Sequence, residues 1–119
     1  MISNIIFVGF GGALGAISRF GINEIMERYF INSSSYSLFL VNVIGCFVIG
    51  FIIGTSMPEK NTTYYFFIIG FLGSFTTMSA LTYQTIMIAN TNLIHAVSYL
   101  IITVVISIAA TYIGTIIAK

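Results

Sequence analysis

The sequence predicts an all-α integral membrane protein of four transmembrane helices, the third of them broken mid-membrane. Composition is the first observation: over 119 residues the chain is 58% hydrophobic and 6% charged, well outside the soluble range. Charge placement is the second. Residues 29–58 carry no formal charge and neither do residues 61–118. One span needs about 20 residues, so the shorter stretch holds one helix and the longer holds two, with a further span ahead of Arg28. The third observation is the run Gly73-Ser-Phe-Thr-Thr-Met-Ser79, which sets hydroxyls and a glycine at lipid depth. There every freed N–H or C=O must be satisfied by protein, water or an ion, so an interrupted helix normally lines a site.

Residues 1–119 therefore read as a single four-helix membrane domain. Helix one runs from about residue 5 to residue 25, and its Gly11 and Gly15 form a GxxxG step that lets another backbone approach closely. Its apolar start imitates a secretory signal, but it lacks a basic leading segment and three more spans follow. Glu24, Glu27 and Arg28, with the cluster at Asn32–Ser35, mark an interfacial helix end and a loop. Helix two covers about 37–57, holds the amide Asn42, and is ended by Pro58. The lone Cys46 permits no intrachain disulfide and reads as a small packed residue. Helix three, about 64–89, is longer than a straight span requires and absorbs an unwound stretch around residues 73–77. Asn90-Thr91-Asn92 makes the turn into helix four, about 93–118, whose terminal Lys119 snorkels to headgroups.

The net charge of +1 suggests neither a nucleic-acid partner nor an acidic one. With four spans, Lys60 and Lys119 fall on one side of the membrane and Arg28, with Arg19, toward the other. The positive-inside rule then favours neither insertion direction, and an antiparallel pair of chains is a natural assembly.

In helix four Tyr99, Thr103, Ser107, Thr111 and Thr115 recur every four residues, giving a polar stripe that winds slowly across the membrane. A single Thr in a membrane helix usually bonds back to the preceding turn and packs. Five in register beside a broken helix favour a lined pathway. The amide of Asn42 and the hydroxyls of Ser79, Tyr99, Thr103 and Ser107 are neutral donors that replace water around a small anion and release it again. Glu24, Glu27 and Glu59 all sit in flanks, so a small proton-coupled multidrug exporter, which needs an intramembrane carboxylate, ranks low. One His, one Cys and three flank carboxylates assemble no catalytic set, which argues against an enzyme. Arg19 is the only basic residue at plausible membrane depth, with an anchoring or structural role favoured over one at a pore mouth. His95 reads as an interfacial residue and the five Met as core filler.

Three stretches carry a resemblance: Gly11-Gly-Ala-Leu-Gly-Ala-Ile-Ser-Arg19, Val41-Asn-Val-Ile-Gly45 and Gly70-Phe-Leu-Gly-Ser-Phe-Thr-Thr-Met-Ser79. They are similar to the signature stretches of the Fluc fluoride channel family. The resemblance implies two subunits inserted antiparallel in the lipid of the cell membrane, narrow fluoride pathways at their interface, and passive export of cytoplasmic fluoride. It also implies a structural sodium ion at the dimer centre, held by the main-chain carbonyls of Gly73 and Thr76. The pore amide falls on Asn42, the hydroxyl track on Tyr99, Thr103, Ser107 and Thr111, and the basic residue of the first signature on Arg19.

The resemblance also has departures. Where the family usually reads Thr-Thr-Phe-Ser-Thr-Phe, this chain reads Thr76-Thr-Met-Ser-Ala-Leu81, so Met78 and Leu81 stand where two rings line the anion path. Ala80 lacks a hydroxyl, and Gln84 replaces a frequent Glu. Two assemblies stay open: a homodimer, which the unbiased charge favours, and a heterodimer with a related subunit that supplies the rings.

Overall fold

The computed structural model describes residues 2–30, 34–55 and 59–119, and four of its helices are long and apolar enough to cross a membrane. Helix α1 spans Ile2–Tyr29 and α2 spans Ser34–Thr55. The third span opens as a π-helical segment, Tyr64–Leu72, continues as α3, Gly73–Phe75, and resumes as α4, Met78–Ala89. Helix α5 runs from Leu93 to Ala118. The long axis measures 46 Å, which suits a bilayer of about 40–45 Å including its headgroup regions.

Helix α1 is longer than expected at its C-terminal end. Glu24, Glu27 and Arg28 lie on its last turns rather than in a loop, with the Arg28 cation complementing the helix C-terminus. Asn32 and Ser33 of the expected loop, and the expected stop at Met57 and Pro58, lie outside the described residues.

Small residues set the packing, as they do where lipid supplies no hydrophobic drive between helices. A Cβ at Gly11 would strike the Phe66 carbonyl and one at Gly15 the Phe71 carbonyl, so the GxxxG step of α1 seats directly on the π-helical segment. A Cβ at Gly50 would strike the Thr111 carbonyl, while Gly114 faces the Phe47 carbonyl and the Phe51 amide in return. These approaches make two tight pairs, α1 with the first half of the third span and α2 with α5. Helix α4 packs against both α2 and α5, and α2 meets α1 and the third span directly, which brings the pairs together.

The core between the pairs holds Val41, Leu72, Phe75 and Leu81, together with the buried polar side chains Ser37, Asn42 and Thr103. Apolar residues such as Phe10, Ile94, Ile101 and Ile108 are exposed instead, as lipid-facing positions should be.

The break is sharper than the sequence suggested. Gly73 has helical dihedrals, φ −61° and ψ −33°, and Ser74 and Phe75 remain helical. Only Thr76 (φ −85°, ψ 154°) and Thr77 (φ −152°, ψ 125°) are extended. Both are β-branched residues that lose χ1 freedom in a helix. The Thr76 hydroxyl also donates to the Leu72 carbonyl at 2.9 Å, an oxygen that the Thr76 amide already reaches at 3.1 Å. Thr77 then caps the next helix, its Oγ1 accepting from the Ala80 amide at 3.2 Å.

Candidate functional site

Helix α2 holds the break in place. Asn42 is buried and faces Thr77 with both ends of its amide: its Oδ1 accepts from the Thr77 N–H at 2.9 Å, and its Nδ2 donates to the Thr77 carbonyl at 3.2 Å. One turn on, Gly45 lies against the Thr76 side chain, and a Cβ there would strike the Thr76 methyl. Residues three apart share a helix face. The spacing of Asn42 and Gly45 is thus what lets one face of α2 both bond the break and admit its bulk.

An open, mostly apolar cavity of about 220 Å³ lies beside this contact. Its walls include Asn42 and Cys46 of α2, Thr76 and Thr77 of the break, Met78 and Leu81 of α4, and Thr103 and Ser107 of α5. A wider vestibule of about 520 Å³ lies toward the end of the bundle that carries Glu27, where Arg19, Asn23, Ser79 and Gln84 line it. Thr77 belongs to both walls, so the interrupted backbone separates one space from the other. A hydrogen bond from the Ser37 hydroxyl to the Asn23 side chain ties α2 to α1 beside this vestibule.

The hydroxyl stripe of α5 divides into two kinds. Tyr99 donates to the Ser35 carbonyl at 3.0 Å, and Thr111 donates to the Cys46 carbonyl at 3.0 Å and the Ser107 carbonyl at 3.2 Å. Thr115 bonds back to Tyr112 within its own helix. These three hold helices together or satisfy themselves. Ser107 instead lines the cavity beside the break, and so does Thr103, which is 1% exposed and whose Oγ1 has no hydrogen-bond partner. Buried polar groups are nearly always paired, so an unpaired hydroxyl on a residue beside a cavity calls for a functional explanation.

The structure therefore gathers Asn42, Thr76, Met78, Leu81, Thr103 and Ser107 around one space. Arg19 and Ser79 stand at the outer vestibule. Tyr99 lines a separate opening with His95, and Thr111 is engaged between helices. Met78 is 69% exposed, whereas Leu81 is only 4% exposed and belongs to the core. Sequence reasoning overlooked Thr77 and Cys46. Thr77 was legible as a helix N-cap three residues ahead of Ala80; nothing in the sequence signalled that Cys46 would reach the cavity wall.

At the break, the Thr77 N–H that a continuous helix would send to the Gly73 carbonyl goes to Asn42, and the Ala80 N–H that would reach the Thr76 carbonyl goes to Thr77 Oγ1. The Met78 and Ser79 amides likewise lose the Ser74 and Phe75 carbonyls across the extended pair, so four successive main-chain oxygens, those of residues 73–76, are released from their helical donors. Among the described residues no group of three His, Cys, Asp or Glu side chains is placed to hold a metal ion. The donors on offer for a cation are hard carbonyl oxygens, which fit an alkali ion and not a transition metal.

A four-span bundle with an interrupted third span, and an uncharged cavity beside the interruption, defines a multi-pass membrane protein. The chain belongs to the CrcB family: the model described as "CrcB-like protein, Camphor Resistance (CrcB)" matches residues 6–115. A relative from Dehalococcoides mccartyi, named "Fluoride-specific ion channel FluC", is 41% identical over 69% of this chain and 65% of its own length, so the match spans under two thirds of that protein. Relatives of the same name from Azobacteroides pseudotrichonymphae (30% identical, 98% of the relative covered) and Campylobacter jejuni (32% identical, 100% covered) match over 100% of this chain. These relatives are named as ion channels, and the family is not an enzymatic one.

Proposed function

We propose that the chain is a subunit of a passive, fluoride-selective channel of the cell membrane. The observation that carries this reading is the buried, unpartnered hydroxyl of Thr103, a residue that lines a cavity together with Asn42 and Ser107. Fluoride is small and strongly hydrated. It leaves water only where several donors replace its shell, and neutral donors do so without holding it. Arg19 at the vestibule raises the local concentration of anions at the entrance. Fluoride that enters a cell as the neutral acid dissociates inside, so a passive path carries the anion outward down its gradient.

The same reading assigns a structural sodium ion to the released carbonyls of Gly73 and Thr76. The two oxygens so assigned in one chain are too few for an alkali cation, and a second copy inserted antiparallel supplies a matching pair. The ion supplies a fixed positive charge that draws two broken spans together. The residues of this chain orient the oxygens and exclude lipid from them.

A second assembly has its own support. Leu81 is packed in the core and Met78 is exposed, so neither position offers a ring edge to an anion. A related subunit that carries both rings would complete a pathway in a heterodimer. The test is fluoride efflux from liposomes holding this chain alone, repeated with chloride. Fluoride-selective efflux supports a homodimeric channel, and silence rescued by a related chain supports the pair. Proton-coupled movement of a cationic dye would overturn both in favour of an exporter.

A further inference from the structure

Releasing a carbonyl from a helix requires that its donor be held elsewhere, because an amide left unpaired in lipid returns to the nearest oxygen. At this break the helical donors of Gly73 and Thr76 each have a captor. Asn42 Oδ1 holds the Thr77 N–H, the helical donor of Gly73, at 2.9 Å. Thr77 Oγ1 holds the Ala80 N–H, the helical donor of Thr76, at 3.2 Å, and is itself steadied by the Ser79 hydroxyl at 3.1 Å. Asn42 then caps a third oxygen: its Nδ2 donates to the Thr77 carbonyl at 3.2 Å. The carbonyls of residues 73–76 all lose their helical donors, and the Thr77 carbonyl that follows is covered.

We propose that Asn42 and Thr77 are positioning residues of the cation site, each withholding one amide hydrogen from one ligating carbonyl. Both ends of the Asn42 amide are thus spent on Thr77, one withholding its N–H and the other capping its carbonyl. The inference rests on the sodium reading above. It predicts which side chains control sodium affinity, although neither of those side chains touches the ion. Replacing Thr77 by valine keeps the β-branched shape and deletes the captor. The Ala80 N–H then turns to the Thr76 carbonyl and competes with the cation for that oxygen. A carbonyl has two lone pairs, so the competition weakens binding without abolishing it.

The experiment uses the full chain in lipid nanodiscs with sodium chloride as the probe and potassium chloride as the control. Carbonyl 13C shifts at Gly73, Thr76 and Thr77 are followed by NMR through a sodium titration. In the unmodified chain the Gly73 and Thr76 carbonyls move with sodium and the Thr77 carbonyl does not. Thr77→Val binds sodium roughly tenfold more weakly, the worth of about one hydrogen bond, while Thr77→Ser stays close to the unmodified chain. Equal affinity in Thr77→Val and the unmodified chain overturns the inference and leaves the sodium reading standing. A sodium-dependent shift at the Thr77 carbonyl of the unmodified chain overturns it too, without recourse to a variant. Absence of any sodium-dependent shift in the unmodified chain overturns the sodium reading, and the inference falls with it.

Discussion

Thr103 separates a residue kept for packing from one kept for a passing ion, because the two roles predict opposite signs for stability. Its side chain is 1% exposed and its hydroxyl has no partner in the protein. Thr103→Val keeps the shape and removes a desolvated hydroxyl whose burial costs about 1–3 kcal/mol. The valine chain should therefore unfold no more easily than the parent, and by up to about 1 kcal/mol less easily. Transport should move the other way. A hydrogen bond to a charged partner is worth about 1.5–3 kcal/mol, so losing this donor slows fluoride passage by roughly ten- to a hundredfold. Thr103→Ser should retain most of the flux. The assays are thermal unfolding in detergent and fluoride-electrode recording of efflux from liposomes. A valine variant that conducts like the parent, or one that is destabilised by more than about 1 kcal/mol, would show that this hydroxyl serves the fold and would refute the assignment.

Thr111→Val should behave in the reverse manner. Its hydroxyl bonds the Cys46 carbonyl across the α2–α5 contact, so its loss costs about 0.6–1.7 kcal/mol of stability in the same unfolding assay and leaves fluoride selectivity unchanged. Two glycines should diverge as well. Gly50→Val drives a side chain into the Thr111 carbonyl and should lower the yield of folded protein, whereas Gly21→Ala meets nothing within 4 Å and should be neutral or stabilising by about 0.5–1 kcal/mol. Arg19→Gln should slow fluoride efflux several-fold at low ionic strength and lose that effect in about 1 M salt, where the screening length falls to about 3 Å; a salt-independent defect would assign Arg19 to packing instead.

Much of the architecture was legible because lipid is a simple solvent. Long uncharged stretches need no tertiary information to be read as spans, and the hydroxyls of Thr76 and Thr77 at membrane depth announced an interruption. The glycine step at Gly11 and Gly15 was legible for the same reason, since close backbone approach is the recurring device for packing helices in lipid. The hydroxyl stripe of α5 was legible only as a pattern. A repeat of four drifts by about 40° per step against 3.6 residues per turn, so its members turn away from one another along the helix. Tyr99 and Thr111 consequently meet carbonyls of α2, Thr115 bonds within its own turn, and Thr103 and Ser107 reach the cavity.

The π-helical opening of the third span had no readable sign, because its aromatic and aliphatic residues suit any lipid-facing helix. The partnership of Asn42 with Thr77 joins residues 35 positions apart, and its long-range geometry exists only once α2 lies against the break. The sequence by itself determined that the chain crosses the membrane, how often, and near which residues the third crossing is interrupted, since these follow from the cost of placing charge and unpaired peptide groups in hydrocarbon. The tertiary structure alone decided which amide holds which oxygen, and therefore which hydroxyl is left unpaired and which carbonyls lose their helical donors.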